Sequence, residues 1–317
     1  MRARHPLLAA LVALALAGCD AVVPVDPVPR PPERPNRALP VAPAPAPAPS
    51  ADSLALRAYY ARVQESLLTQ GLLRQDGGGP DTPFDADRLA RTFARVALFQ
   101  EYDTVSGRLI QRETSSRLHR WAGPVRLEAR FGAGVDPAKA ARDRNAIVAL
   151  SGRLARATGH PISAVSSGGN FTVFTVTEDE RRALGPELRR LVPGLSASTL
   201  QSVLDLPRSS YCVVFALDPT DTGRYTRAVA LVRAEHPDLL RLSCLHEEIA
   251  QGLGLSNDWP GARPSIFNDD EEFALLTTMD ELLLRILYDP RLSPGMTAAT
   301  AMPVVERIAA ELVGGPS

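Results

Sequence analysis

The sequence "CLHEEIAQGLGLSND", from Cys244 to Asp258, has the periodicity of one amphipathic helix followed by a turn. At about 100° per residue, its apolar and polar positions separate onto opposite sides of that helix. The apolar positions, which are expected to face a core, are Leu242, Leu245, Ile249 and Leu253. The polar positions on the other side are Cys244, Glu247, Glu248 and Gln251. Taken alone, this polar stripe is also compatible with the ordinary solvated face of an amphipathic helix.

The same segment carries a pattern related to zinc-binding helices. A helix of the His-Glu-x-x-His type places two imidazoles one turn apart, but the residue one turn after His246 is Ala250, which cannot bind a metal. One residue further on, Glu247-Glu248-x-x-Gln251-x-x-Gly254-x-x-Asn257-Asp258 resembles the metzincin signature His-Glu-x-x-His-x-x-Gly-x-x-His/Asp. The resemblance implies ligand positions at Glu247 and Gln251, a general-base position at Glu248, a sharp turn at Gly254, and a third ligand position at Asn257 or Asp258.

Two segments further along the chain occur in the order that the metzincin comparison requires. "SIFND", which begins at Ser265, resembles the Met-turn with Phe267 in place of the methionine. "TTMDELLLRILYDPRL" resembles the helix that follows this turn, and Thr278-x-x-Glu281 is a candidate capping box at its start. Three segments in the right order are more specific than the helix alone.

The chain before this helix alternates strands and helices. "PVRLEARF" and "NFTVFTVT" have the patterns of strands, and Pro137 to Thr158 has the apolar spacing of a helix. Thr177-x-x-Glu180 is a capping box for another helix. "YCVVFAL" and "YTRAVALVRA" are joined by the turn sequence "DPTDTG". The predicted fold class is therefore α+β, a metzincin- or zincin-like domain with a mixed sheet and an active-site-type helix.

The first residues predict export and a lipid anchor. A charged start followed by an apolar run from Leu7 to Leu16 is typical of a signal peptide. The next residues, Ala17-Gly18-Cys19, complete a sequence that resembles the lipobox of bacterial lipoproteins, in which the Cys is acylated. An ordinary secretory signal with a chance Cys is the alternative.

These features divide the chain into four parts. Residues 1–18 are the signal peptide, and residues 19–50 are the lipidated Cys19 with a linker rich in Pro and Ala, whose composition favours an extended polyproline tether. Residues 51–120 form a small helical N-terminal region, in which Asp85 is placed to cap a second helix. Residues 121–317 form the zincin-like domain.

Cys212 and Cys244 are the two cysteines that remain once Cys19 is assigned to the anchor. An even pair in an exported protein predicts a disulfide. Two buried free thiols, or Cys244 as a metal ligand, are the alternatives.

The segment from about Trp121 to Met302 resembles a family of uncharacterised proteobacterial lipoproteins, defined only as a domain of unknown function. The resemblance is carried by "EEIAQGLGLSND", "SIFND" and "LLRILYDPRLSPGM", and it extends back to about Ala51. It implies a location in the envelope of a Gram-negative bacterium, anchored to the inner or outer membrane and facing the periplasm. It implies no activity.

The donor set at the metzincin-like positions consists of oxygen. Glu247, Gln251, Asn257 and Asp258 offer carboxylates and amides, which suit hard cations better than zinc. We therefore expect no zinc and no other cofactor there. His160, His236 and His246 are the nitrogen donors that come nearest in sequence, but they occupy positions typical of loop ends or of the boundary between the helix faces.

Composition narrows the class of partner. A net charge of −1 over 317 residues argues against a protein that neutralises nucleic-acid phosphates. The predicted role is binding or organising a periplasmic protein, a peptide or peptidoglycan, with the membrane contacted through the lipid anchor. One alternative is a periplasmic hydrolase, peptidase-like, that uses Glu248 as base with an oxygen-ligated ion or no metal. The second alternative is a purely structural lipoprotein.

Overall fold

The computed structural model describes residues 48–105, 108–268 and 270–314, and it describes the side chains of these residues except those of 102–111. The predicted signal peptide, Cys19 and nearly all of the predicted linker lie outside the described residues. The strands are β1 Phe99–Val105, β2 Arg108–Ser115, β3 Arg120–Trp121, β4 Val125–Phe131, β5 Ile162–Val165, β6 Phe171–Val176, β7 Cys212–Leu217, β8 Arg224–Tyr225 and β9 Arg227–Arg233. The helices are α1 Ala51–Thr69, α2 Ala86–Ala97, α3 Pro137–Thr158, α4 Glu178–Ala183, α5 Gly185–Leu191, α6 Ala197–Leu204, α7 Asp238–Gln251, α8 Thr278–Leu287 and α9 Ala298–Val313.

A five-stranded mixed sheet lies at the centre, with the strand order β5-β4-β6-β9-β7. The strands β5, β4, β6 and β9 run parallel to one another, and β7 runs antiparallel to β9 at one edge. Strand β6 is buried along its whole length and β9 nearly so, as expected for central strands of a sheet that is covered on both faces. The mixed α+β class predicted from the sequence is confirmed.

The two faces of the sheet bury separate apolar clusters, because successive side chains of a strand point to opposite sides. In β9, Ala230 belongs to the larger cluster, and its neighbours Val229 and Leu231 belong to the smaller one. The larger cluster contains apolar side chains of α2, α3, α7, α8 and α9. The smaller cluster contains side chains of α5 and α6.

The N-terminal region, which was predicted to be helical, contains strands as well as helices. Helices α1 and α2 form, and Asp85 accepts a hydrogen bond from the backbone N–H of Arg88 as a helix cap. Beyond them, β1 and β2 form an antiparallel hairpin that the sequence reasoning missed, and β2 contacts α6. Phe93 of α2 is buried in the same core as α3, α7 and α8. The segment before residue 121 therefore packs as part of the larger structure.

Helix α7 is held in place by its covalent and backbone surroundings. A disulfide joins Cys244 of α7 to Cys212 of β7, which confirms the predicted pairing. After α7 the chain turns at Gly254, whose φ is +128°. A Cβ atom there would lie 2.2 Å from the carbonyl oxygen of His119, so this turn requires glycine. In the described part of the chain, no helix combines the length and the apolar character needed to cross a membrane.

Candidate functional site

The polar stripe of α7 does not face solvent. Cys244, Glu248 and Gln251 are all buried, and Glu247 is half-buried. The reason is that β7 packs against α7 and is joined by the Cys212–Cys244 disulfide to the side of the helix that its own periodicity marks as polar. Buried carboxyl and amide groups need partners or charge neutralisation, so this side of α7 is the candidate functional site.

Glu248 is the least satisfied of these side chains. It is 4% exposed, and its Oε2 atom has no hydrogen-bond partner among the described residues. One carboxylate oxygen of Glu247 and one of Glu248 lie within 4.8 Å of each other and of the Sγ atom of Cys212. Because Cys212 is oxidised in the disulfide, its sulfur is not available as a thiolate ligand.

The electrostatic surroundings disfavour ionisation of both glutamates. Burial raises the pKa of Glu247 well above its ordinary value, and the neighbouring carboxylates Asp258, Glu248, Glu271 and Glu101 raise it further. Burial likewise raises the pKa of Glu248, with added repulsion from Glu101 and Asp258. Adjacent acidic groups that share one low-dielectric site cannot all ionise at low cost.

Gln251 and Asp258 complete the cluster predicted on the helix. The side-chain Nε2 of Gln251 donates to Oδ1 of Asp258 at 3.2 Å, so the turn at Gly254 brings Asp258 back beside α7. Asn257 has a different role. Its amide nitrogen donates to the backbone oxygens of Arg95 and Asp258 and to Glu113, which ties the turn to the end of α2.

The structure therefore brings together Glu247, Glu248, Gln251 and Asp258 from the predicted set and uses Asn257 elsewhere. Sequence reasoning missed Glu101 and Glu271. Glu101 lies in the hairpin strand β1, and Glu271 follows the 266–268 turn, so both reach the cluster through tertiary packing. The sequence contained one weak signal for Glu271, since this residue belongs to the acidic run that follows "SIFND".

His246 is buried and supports the site from the side opposite the cluster. Its Nδ1 accepts a hydrogen bond from the backbone N–H of Leu276 at 3.2 Å. Burial, with a contribution from Arg153, lowers the pKa of His246 to about 3, so the ring is neutral. This hydrogen bond fixes the segment before α8 and occupies the Nδ1 atom of His246. His236, which its position in the sequence predicted to lie near a loop end, is also fully buried.

The turn predicted at "SIFND" is a short 3-10 helix, Ile266–Asn268. The carboxylate of Asp280 accepts hydrogen bonds from Ser265, from the backbone of Ile266 and from Thr277. The capping box of α8 is formed by Thr277 and Asp280, one residue before the predicted Thr278 and Glu281. Asp280 serves both the helix cap and the turn, and this double use fixes the register.

A groove opens beside the cluster, with a volume of about 790 Å³. Edge strand β7 and the segment after it form one wall, and the loop between α5 and α6 forms another. The lining includes residues 191–196, 214–219 and 225–227, together with Gln100, Glu101, Gln251 and Ser256. Glu101 and Gln251 thus connect the groove to the carboxyl cluster.

The donors at the cluster do not fit zinc. The zincin comparison implies a zinc ion, which prefers imidazole and thiolate ligands in a tetrahedral site. Among the described residues, the groups gathered around Glu248 are carboxyls, one carboxamide and a disulfide sulfur. We therefore derive no step through zinc.

Fold and site together define an α+β protein in which a buried carboxyl cluster adjoins a groove at the edge of a mixed sheet. The chain belongs to the family described as "Protein of unknown function (DUF2927)", whose model matches residues 86–307. No curated protein matches the chain, and no solved structure matches it.

Proposed function

We propose that this chain is a lipid-anchored envelope protein whose zincin-like domain binds an extended polypeptide in the groove beside β7. The observation that carries the proposal is the position of the groove along the outermost strand of the sheet. The zinc histidines of the metzincin pattern are replaced, so binding is the function that the residues support best. A purely structural role would give no reason for a groove of this size at this edge.

The edge strand supplies the backbone groups that an extended chain needs. Within the described residues, β7 pairs on one side with β9 and has no strand on the other. Half of the N–H and C=O groups of such a strand point outward, and an added peptide strand can pair with them. Natural proteins usually cover or charge an exposed edge, whereas here apolar residues such as Leu195 and Phe215 line the space beside it.

The zincin-like assignment is supported by the order and roles of the local segments. Helix α7 follows the last sheet strand β9, Gly254 turns the chain, and Asp258 returns to Gln251. The 266–268 turn and α8 then follow in the predicted order. In a zincin-like arrangement this places the substituted ligand positions at the end of the groove.

A hydrolase is the second candidate, and one specific observation favours it. The raised pKa of Glu248 keeps its carboxyl group protonated to higher pH, which suits a general acid that later acts as base. This candidate predicts cleavage of a bound chain. The binding experiment described next distinguishes cleavage from simple binding, because the recovered peptides are analysed by mass spectrometry.

The groove is tested with the purified full chain and a pool of fluorescein-labelled random decapeptides. We expect saturable binding that Leu195→Asp weakens at least about tenfold, because a buried charge replaces apolar contact at the groove wall. Fluorescence anisotropy measures the affinity, and mass spectrometry of the recovered peptides detects cleavage.

Leu54→Asp is the matched control, since Leu54 is 52% exposed and lies outside the groove. Its binding should equal that of the unaltered chain. Equal binding by the Leu195 and Leu54 variants, or no saturable binding by the unaltered chain, would rule out the proposed peptide groove. If the protein binds peptidoglycan fragments and does not bind the peptides, the ligand of the groove is a glycan and the peptide proposal is wrong.

The lipid anchor is tested separately in the native bacterium. Leu16-Ala17-Gly18-Cys19 supports acylation of Cys19, and several acyl chains bind a membrane stably where one is marginal. Cys19→Ser should move the protein from the membrane pellet to the soluble periplasmic fraction, as followed by immunoblotting. A Cys19→Ser protein that still sediments with membranes would contradict lipidation.

A further inference from the structure

We propose that the carboxyl cluster on α7 is a binding site for a hard divalent cation, with Ca²⁺ as the ion that fits best. The ligands would be the carboxylates of Glu247 and Glu248, with the side-chain oxygen of Gln251, one helical turn further along α7, as a further donor. The inference goes beyond the proposed function, because an ion can bind whether or not a peptide occupies the groove.

The separation of the glutamate oxygens suits calcium. Oxygen ligands lie 2.3–2.6 Å from Ca²⁺, so two oxygens on one ion are at most about 4.6 to 5.2 Å apart. The Glu247 and Glu248 oxygens lie within 4.8 Å of each other, which meets this condition without any movement of the helix. Mg²⁺ demands a near-ideal octahedral geometry and gives up its waters reluctantly, whereas Ca²⁺ accepts flexible sets of oxygen ligands.

Glu248 supplies an independent indication that a ligand belongs here. Its side chain is more than nine-tenths buried, and Oε2 has no hydrogen-bond partner among the described residues. A buried carboxyl oxygen without a partner is costly in either protonation state. The same oxygen belongs to a carboxyl group within 4.8 Å of that of Glu247, so a bound cation would satisfy it.

Acidic neighbours around Glu247 and Glu248 also favour a cation. The charged side chains that act most strongly on Glu247 and Glu248 are acidic: Asp258, Glu101 and Glu271. A divalent ion would neutralise two carboxylates at once and remove their mutual repulsion.

An ion has a route to the cluster through the groove. Gln251 and Glu101 line the groove wall and are also members or close neighbours of the cluster. Oxygen donors, including a carboxamide, select calcium, magnesium or manganese over zinc. The groove therefore offers both entry and a donor set of the right chemistry.

The test uses the purified full chain, treated with chelator and then titrated with CaCl₂ alone. Saturating Ca²⁺, at about a hundred times its Kd, should raise the Tm by about 5 to 10 °C, because the ion binds the folded state. Equilibrium dialysis with radioactive calcium should give one ion per chain. Mg²⁺ at the same concentration should give a smaller shift.

Glu248→Gln should lower the Ca²⁺ affinity at least about tenfold, since affinity depends on the number of charged ligands. In chelator, the same variant should melt at or above the temperature of the unaltered chain, because an unpartnered buried carboxyl group is replaced by a neutral amide. This second readout separates loss of the site from loss of the fold. Glu306→Gln, on the exposed side of α9, is the matched control and should bind Ca²⁺ normally.

The proposal is overturned if the unaltered chain shows neither a Ca²⁺-dependent Tm shift nor retained calcium, or if Glu248→Gln responds to Ca²⁺ as the unaltered chain does. Peptide binding measured in chelator is independent of this result. A negative result for Ca²⁺ binding therefore does not contradict the peptide-binding proposal, and a negative result for peptide binding does not contradict the Ca²⁺ site.

Discussion

Glu178 and Glu248 are buried to nearly the same extent, at 5% and 4% exposure, yet their surroundings are opposite. Burial alone would raise the pKa of Glu178, but Arg181 and Arg233 lower it below its ordinary value. These two guanidinium groups lie 2.6 Å from the carboxylate oxygens. For Glu248, burial raises the pKa and the neighbouring acids Glu101 and Asp258 raise it further.

The difference separates a structural carboxylate from a functional candidate. Arg181 also donates to the backbone carbonyls at the end of α6, and Arg233 donates to those of Leu206 and Pro207. The Glu178 cluster thus ties α4, α6 and β9 together around a carboxylate that is paired with guanidinium groups. Glu248 itself has an oxygen without a hydrogen-bond partner among the described residues, and its cluster opens onto a groove, which is where strongly perturbed carboxyl groups tend to act.

The largest loss of unfolding free energy is expected when the carboxylate that is paired with arginines, Glu178, is removed. Glu178→Gln removes the negative charge and leaves Arg181 and Arg233 buried with an uncompensated positive charge. Such a change costs about 3–5 kcal/mol of unfolding free energy. Urea denaturation followed by circular dichroism measures it.

Glu187→Gln is the control for that experiment, because Glu187 also pairs with two arginines, Arg130 and Arg190, but is about a third exposed. Its loss should cost about 1 kcal/mol or less, as for other solvent-accessible ion pairs. A Glu178 variant no less stable than the Glu187 variant would show that the buried triad is not a structural tie.

The features that the sequence predicted correctly are local or covalent. The capping box at Thr177 and Glu180 is present because both partners lie within one helical turn. The Cys212–Cys244 disulfide followed from counting, and the turn at Gly254 followed from the freedom of glycine to adopt positive φ. Alternation and β-branched content were enough to predict the main strands, since these properties decide which segments can be buried in a sheet.

The features that the sequence did not predict depend on packing between distant segments. The helical pattern of α7 identified its polar side correctly, but it did not predict that this side is buried. The periodicity of a single helix does not specify which distant segments pack against it. Glu101 comes to the cluster from a hairpin for which no strand was predicted from the sequence. The cap of α8 shifted to Thr277 because Asp280 can also bond Ser265 and the 266–268 turn, a benefit that the spacing of Thr278 and Glu281 does not show.

A smaller effect on the unfolding free energy is expected at His236, a third buried polar residue. It is fully buried, its Nε2 has no hydrogen-bond partner among the described residues, and Tyr60 and Tyr211 pack edge-on against its ring. Burial lowers the pKa of His236 well below its ordinary value, and the nearby Arg233, Arg241 and Lys139 lower it further.

The pH dependence follows from that shift. The folded state keeps His236 neutral while the unfolded chain binds a proton below about pH 6.5, so stability that is present above this pH is lost as the pH falls. Between pH 7 and pH 5 the loss from this residue should be about 2 kcal/mol. His236→Phe should remove that share from the urea unfolding free energies measured at the two pH values. His160→Phe, at a partly exposed histidine, should keep most of the dependence. If the two variants lose equal shares, the acid sensitivity does not arise from His236, and burial of its ring without a partner for Nε2 has no measurable cost at low pH.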